Sequence, residues 1–285
     1  VISELGLPAL LVRDLAQASS VTAGYAHTCA GRNDGTAVCW GSNTSGQLGD
    51  NTSIARRTPV VVSGLTQVRT IAAGGAHTCA SLDDGGARCW GNNYSGQLGD
   101  GTRTYRRTPA PVSGLDNVIA IGAGGSHSCA LTASGTLACW GNNYYGQLGD
   151  GTTSQRLAPV PVSGLSGPVR TFSTGLVHTC MLHEDGKASC AGWNAYGQLG
   201  DGTTTNRNRP VAVSGLPAAS AIVAAIGIGS AGHSCALVDG GLQCWGKNNY
   251  GQLGDNSYVQ RTAPVAVVQP APPPTYAISG QVLDE

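Results

Sequence analysis

Ten cysteines fall into five pairs, one inside each of five near-identical repeats of about fifty residues. The pairs are Cys29/Cys39, Cys79/Cys89, Cys129/Cys139, Cys180/Cys190 and Cys235/Cys244. Each follows a histidine (His27, His77, His127, His178, His233) and leads into an Asn/Gly-rich stretch that ends Gly-Gln-Leu-Gly-Asp, starting at Gly46, Gly96, Gly146, Gly197 and Gly251. A fixed period of this length constrains the chain to a repeat architecture, in which each unit buries its apolar face against its neighbours.

Spacing shows how the cysteines pair. In four repeats the second Cys comes ten residues after the first, with a turn such as Asp83-Asp84-Gly85-Gly86 midway. The fifth repeat has lost one residue there, leaving Asp239-Gly240, a two-residue hairpin signal. That turn sets Val238 opposite Gly241, Leu237 opposite Leu242 and Cys235 opposite Cys244. Opposed residues on neighbouring strands lie close enough for a disulfide. Closing such a short loop stabilises by about 3 kcal/mol in the chain-entropy model. Zinc is the rival, since His27-Thr28-Cys29 puts two ligand types on one strand face, but every repeat lacks a fourth ligand. Five disulfides imply an oxidising, extracellular or cell-surface setting.

Composition narrows the partners. Charged residues make up 11% of the chain, the formal net charge is zero, and the only lysines are Lys187 and Lys247. Without a basic run the surface attracts neither nucleic acid nor an anionic membrane. No run of about twenty apolar residues suits a membrane span. The start, Val1-Ile2-Ser3, lacks the regions of a secretion signal, which is expected to lie outside this sequence.

Each repeat reads as four short strands and no helix, an all-β pattern. One strand is Pro-led (Pro59-Val60-Val61-Val62), one contains Val68-Arg69-Thr70-Ile71-Ala72, and two form the cysteine hairpin, Thr78 to Leu82 and Ala87 to Trp90. Four-stranded units arranged radially make a β-propeller. The Pro-led strand occurs six times, at Pro8, Pro59, Pro109, Pro159, Pro210 and Pro264, so one is left over against five hairpins. It is expected either to close the ring or to pair with a neighbouring molecule.

His77-Thr78-Cys79-Ala80, Cys89-Trp90-Gly91-Asn92-Asn93 and Gly96-Gln97-Leu98-Gly99-Asp100-Gly101-Thr102, followed by Thr108-Pro109, resemble the regulator of chromosome condensation repeat. The resemblance covers residue 8 to about 268 and implies a propeller, usually of seven blades, whereas five hairpin units are present here. Family members that sense ultraviolet light carry tryptophan beside the histidine, and Gly75-Ala76-His77 has none. Disulfides and a neutral surface also disfavour a nuclear exchange factor. Members that inhibit secreted β-lactamases imply instead a specific binding propeller.

Five aspartates each precede an arginine by six residues: Asp50/Arg56, Asp100/Arg106, Asp150/Arg156, Asp201/Arg207 and Asp255/Arg261. A charge-assisted pair bracing each inter-blade loop explains them. The same symmetry argues against catalysis by these residues or by the histidines, which are expected to pack and hydrogen-bond between blades. Trp40, Trp90, Trp140 and Trp245 are expected to fill the inter-blade core; repeat four has Ala191 there and Trp193 two positions on. No phosphate loop or calcium site is recognisable, and no cofactor is expected. Asn43, Asn51 and Asn93 match the N-glycosylation pattern.

If the repeated residues build the scaffold, function is to be sought where the repeats differ. His183-Glu184-Asp185-Gly186-Lys187 makes one charged turn. About five extra residues in Pro217 to Ile228 carry Ile222, Val223, Ile226 and Ile228, read either as a longer core strand or as a contact patch. Three domains follow: a propeller over residues 1–269, a polyproline spacer over 270–275, and over 276–285 a strand (Tyr276, Ile278, Val282) that opens a β-sandwich module or docks elsewhere. The expectation is a non-enzymatic extracellular structural or protein-interaction propeller, self-associating head to tail; the alternative captures or inhibits a protein ligand.

Overall fold

The structure, a computed structural model, describes residues 17–226 and 232–268. Each cysteine pair closes a β-hairpin whose register sets the two sulfurs opposite: Cys29↔Cys39, Cys79↔Cys89, Cys129↔Cys139, Cys180↔Cys190 and Cys235↔Cys244. All five are disulfides, with Cα atoms 4.0–4.1 Å apart. In the fifth hairpin Val238 faces Gly241 and Leu237 faces Leu242, so the lost residue comes out of the turn alone.

The first blade is a four-stranded antiparallel sheet of β1 (Ala18–Ala23), β2 (His27–Arg32), β3 (Ala37–Gly41) and β4 (Arg56–Val61), paired in that order. The second blade is β5 (Val68–Ala73), β6 (His77–Leu82), β7 (Ala87–Gly91) and β8 (Arg106–Pro111), and the third is β9 (Val118–Ala123), β10 (His127–Thr132), β11 (Leu137–Gly141) and β12 (Arg156–Pro161). The fourth is β13 (Val169–Thr174), β14 (His178–His183), β15 (Ala188–Gly192) and β16 (Arg207–Ala212). The fifth is β17 (Ala219–Ala224), β18 (His233–Val238), β19 (Gly241–Gly246) and β20 (Arg261–Ala266). The chain is thus a β-propeller built from five four-stranded repeats.

The proline-bearing strand is the outermost of its blade and starts at the arginine, three residues before the proline. An edge strand tolerates a residue that cannot donate a ladder hydrogen bond. Because it follows its own hairpin, the copies at Pro59, Pro109, Pro159, Pro210 and Pro264 complete the five blades. The surplus copy is therefore the one at Pro8, which lies outside the described residues. Strand β17 is no longer than its counterparts, so the extra residues of the fifth repeat fall in the connection after it.

Packing runs from blade to blade in chain order, β1 on β5, β5 on β9 and β13 on β17. No strand of the fifth blade makes an extensive contact with the first among the described residues. The disulfide face of one blade meets the opposite face of the next: Cys29, Cys39 and Val62 pack against Ile71, Leu82 and Trp90. The core is therefore a series of inter-blade layers. Near the axis the strands carry small residues, and a cavity of about 300 Å³ is lined by Thr22, Ala73, Ala123, Ser173 and Ala224.

Tryptophan is inserted at a glycine. Gly99 has φ +70°, and a Cβ there would stand 2.7 Å from Trp140 Nε1. The fourth blade has Ala191 where the others have indole, and the lost volume is returned nearby. Met181 and Phe172 stand where the second blade has Ala80 and Ile71, and both enter that layer of the core.

Disulfides predict a thiol count. The native chain should take up no alkylating agent without reductant, and ten alkyl groups after denaturation and reduction, one for each of its ten cysteines. Free alkylation of the native protein, read by intact mass, would contradict the pairing.

Candidate functional site

Histidines of the hairpins sit at the joints between blades. The Nε2 atoms of His27, His77, His127 and His178 lie 2.9 Å from hydroxyls of the following blade: Thr78, Ser128, Thr179 and Ser234. Each hydroxyl spends its hydrogen on a glutamine carbonyl of the earlier blade, as Thr78 does on Gln47 at 2.8 Å. The imidazole must then be the donor, which assigns the proton to Nε2. Nδ1 keeps a bare lone pair, and in all four rings it is buried without a hydrogen-bond partner. It faces a glycine Cα: a Cβ on Gly124 would collide with His127 Cε1 and stand 2.6 Å from Nδ1. The same glutamine carbonyls accept the indole N–H of Trp90, Trp140 and Trp245.

The Asp–Arg pairs brace the loop that joins the third and fourth strands of one blade. Arg56, Arg106, Arg156, Arg207 and Arg261 lie 2.7–2.9 Å from Asp50, Asp100, Asp150, Asp201 and Asp255. The sequence placed these loops between blades; they are internal to a blade, and their tips lean on the next one. Asn51 N donates to Arg107 O, and Gly151 N to Asn208 O. Burial alone would raise the Asp150 carboxyl, but hydrogen bonds from Thr152, Arg156 and Asn143 outweigh it and hold the group below the usual carboxylate range. Asp50, Asp100 and Asp201 follow the same balance.

One asparagine per blade organises that loop. Asn43 Nδ2 donates to Asp50 and to the carbonyls of Thr52 and Ile54, while its Oδ1 accepts from Leu48 N. Asn93 repeats the arrangement. Both are fully buried, which corrects their reading as glycan acceptors: the amide nitrogen that a glycan needs is inside the fold. Asn51 alone of the three is exposed, at a turn with φ 62°.

The repeats part company two residues after the second cysteine's tryptophan, at Ser42, Asn92, Asn142, Trp193 and Lys247. These positions open the third-to-fourth strand loops, which share one face with the first-to-second strand connections. A cavity of about 300 Å³ on that face is lined by Gly125, Tyr144, Tyr145, Leu176 and Val177. Beside it runs an aromatic row across the third to fifth blades. Tyr145 and Trp193 rings lie 5.9 Å apart, Trp193 and Tyr196 5.1 Å, and Lys247 Nζ stands 5.1 Å from the Tyr196 centroid. Tyr144 and Tyr250 stand out at its two ends, 74% and 76% exposed. Sequence reasoning noted Trp193 but missed the row, because its members sit in three repeats and meet only when the blades are laid side by side.

The other candidates disperse. Ile222 is in the core against the fourth blade, Ile226 borders the axial cavity, and Val223 is 60% exposed on the far face of the fifth blade. Leu237 and Leu242 share that face, at 47% and 40% exposure. Ile228, Tyr276, Ile278 and Val282 lie outside the described residues. In the charged turn, Lys187 pairs with Asp185, and His183 Nε2 meets Ser189 Oγ at 2.8 Å. Among the described residues, no three His, Cys, Asp or Glu side chains gather as a metal site.

A pH dependence follows from the joints. Burial lowers His27 and His127 to about 4, and His77 and His178 to about 3, with the neighbouring imidazoles adding to the effect on the last two. The unfolded chain takes up these protons near pH 6.5. Their contribution is thus complete above about pH 6.5 and is lost as pH falls toward the folded values, at up to about 1.4 kcal/mol per pH unit for each ring. The urea midpoint should drop steadily between pH 6.5 and 4.5, and His127→Gln should flatten that slope by about one proton. A midpoint unchanged over this window would contradict the assignment. The aspartates act lower, since their contribution is present above the ordinary carboxylate range and fails only below it.

Comparison with known proteins agrees with this geometry. The structure superposes on Prp20p of Saccharomyces cerevisiae with TM-score 0.77 at 21% identity, covering 88% of this chain and 63% of that one. It superposes on human WBSCR16 with TM-score 0.77 at 26% identity, covering 88% and 67%. The E3 ubiquitin-protein ligase MYCBP2 of Danio rerio is 37% identical over 82 residues, which are 29% of this chain and 2% of the ligase. The chain thus spans only a small part of that ligase and less than two thirds of Prp20p. The model of the RCC1-like domain matches residues 6–281. The chain therefore belongs to the RCC1-like domain family.

Proposed function

We propose that this chain is a non-enzymatic, extracellular protein-interaction propeller whose loop face makes the contact. The observation that carries this reading is the aromatic row Tyr145–Trp193–Tyr196, built where the repeats differ and flanked by the exposed Tyr144 and Tyr250. Tyrosine and tryptophan supply large contact area at low entropic cost, which is why they dominate binding hot spots. The repeated Asp and Arg groups are consumed by loop braces, and His27, His77, His127 and His178 by the joints. The neighbour Prp20p was studied for its binding to Gsp1p and histones; a near-neutral chain with five disulfides suits a different partner and an oxidising compartment. Selection from a random peptide display library tests the reading. Peptides enriched on the wild-type chain should be lost from a Tyr144→Ala/Trp193→Ala/Tyr250→Ala variant of unchanged melting temperature. No enrichment, or enrichment that the triple variant retains, rejects the loop face.

Head-to-tail self-association is the second reading, favoured by the two terminal blade faces. Val223, Leu237 and Leu242 on the fifth blade are the surface that each earlier blade covers with its successor, and Val21, 72% exposed beside a half-buried Trp40 on the first, belongs to the opposite surface. A joint between copies would repeat the joints already made within the chain. Sedimentation should show concentration-dependent growth that Leu237→Asp abolishes; a monomer at all concentrations rejects it.

A further inference from the structure

The cavity of about 300 Å³ between the third and fourth blades is built from residues that depart from the repeat. Before the joint histidine the second blade carries Gly75-Ala76, whereas the third carries Gly125-Ser126 and the fourth Leu176-Val177. Gly125 lets these two blades approach closely. Its N donates to Leu176 O at 3.2 Å, and a Cβ there would stand 2.7 Å from Leu176 Cδ1. Leu176 and Val177, both half-buried, give the cavity an aliphatic wall. Tyr144 and Tyr145 give it two aromatic walls, their rings perpendicular with centroids 4.9 Å apart.

An unspent donor lines the same cavity. In the second blade Asn92 Nδ2 donates to Tyr105 OH at 3.1 Å. The third blade has Gln155 in place of that tyrosine, and Asn142 Nδ2 donates to none of the described residues. Asn142 Oδ1 accepts from Tyr144 N at 3.1 Å and from Gln147 Nε2 at 2.8 Å, which fixes the amide's orientation and leaves its NH₂ to serve the cavity. Asn142 is partly exposed, and water meets such a donor until something displaces it. The displacing group must then bring an acceptor. The Ser126 hydroxyl belongs to the same wall, since Ser126 O accepts from Asn142 N at 2.9 Å. A sugar carries hydroxyls around its whole ring and would leave some of them unpaired against Leu176 and Val177. A peptide residue divides its chemistry as the cavity does, into an apolar side chain and, beside it, one carbonyl and one N–H.

We infer that this cavity is the anchor pocket of the loop face: it takes one large aliphatic or aromatic side chain of a protein partner, and Asn142 Nδ2 donates to the main-chain carbonyl beside that side chain. The inference rests on the loop face being the contact surface and names the chemistry of its partner. A desolvated pocket with aromatic walls is where binding energy concentrates in a protein interface. The row Tyr145–Trp193–Tyr196 begins at its wall, so pocket and row make one continuous surface.

Saturation-transfer NMR on the full chain tests this, with N-acetyl-leucine amide and N-acetyl-phenylalanine amide as probes and N-acetyl-glycine amide and methyl β-glucoside as controls. The two apolar amides should be saturated and the controls should not. Leu176→Gly/Val177→Ala installs the Gly-Ala of the second blade, so it should keep the melting temperature and abolish the saturation. Asn142→Asp keeps the acceptor bonds of Oδ1 but loses the donor, so it should weaken the saturation with the pocket walls intact. Peptides selected on the wild-type chain should bind Leu176→Gly/Val177→Ala at least about tenfold more weakly. Preference for the glucoside, no saturation of either apolar amide, or saturation unchanged in both variants overturns the inference. Selected peptides that are lost from Tyr144→Ala/Trp193→Ala/Tyr250→Ala but bind Leu176→Gly/Val177→Ala as tightly as wild type also overturn it, while leaving the loop-face reading intact.

Discussion

Every pair of neighbouring blades is tied at a glutamine carbonyl with two lone pairs. At the first joint Gln47 O accepts the Trp90 indole and the Thr78 hydroxyl, and Thr78 in turn accepts from His27. Three side chains and one backbone group, drawn from two blades, are satisfied together, and none of them can be satisfied by one blade alone. In a dry interface such a network is costly when half made. The joint thereby couples folding of each repeat to its neighbour, as the apolar layers do. The third-to-fourth joint shows its tolerance. With Ala191 in place of indole, Gln147 O keeps only Thr179, and Met181 and Phe172 restore the packing volume but not the hydrogen bond.

This arrangement separates scaffold from surface with unusual economy of residue types. The paired aspartates and arginines are turned onto their own loops, and His27, His77, His127 and His178 are turned into the joints. The face left to vary is the run of positions just past the tryptophan, and its variation is chemical: hydroxyl, amide, amide, indole, ammonium. Those substitutions cost the fold two amide hydrogen bonds, at Gln198 and Gln252.

Much of the architecture could be read from residues alone. The missing residue in the Asp239-Gly240 turn fixed the hairpin register, because a shortened loop and two opposed sulfurs leave one solution. The phase of the blade was harder. A repeat has no intrinsic beginning, and only the ladder between Cys39 and Val60 shows that the proline strand closes the blade it follows. The glycan reading failed at Asn43 and Asn93 for a related reason: an Asn-x-Ser/Thr run is also good turn chemistry, and burial decides between the two. The orphaned amides were invisible because Gln198 and Gln252 are themselves unchanged from the repeat; the signal lay in the loss of an acceptor five residues upstream.

The disulfides carry a last consequence, because each lies on the face that the following blade covers. Nine of the ten cysteines are sealed inside, and Cys235 of the fifth blade is partly open. Among the described residues the Cys235–Cys244 bond is therefore the staple that a reductant in solution reaches first without any blade having to loosen. The staples are chemically alike but unequally guarded, and the fifth blade is the end at which that guard is thinnest.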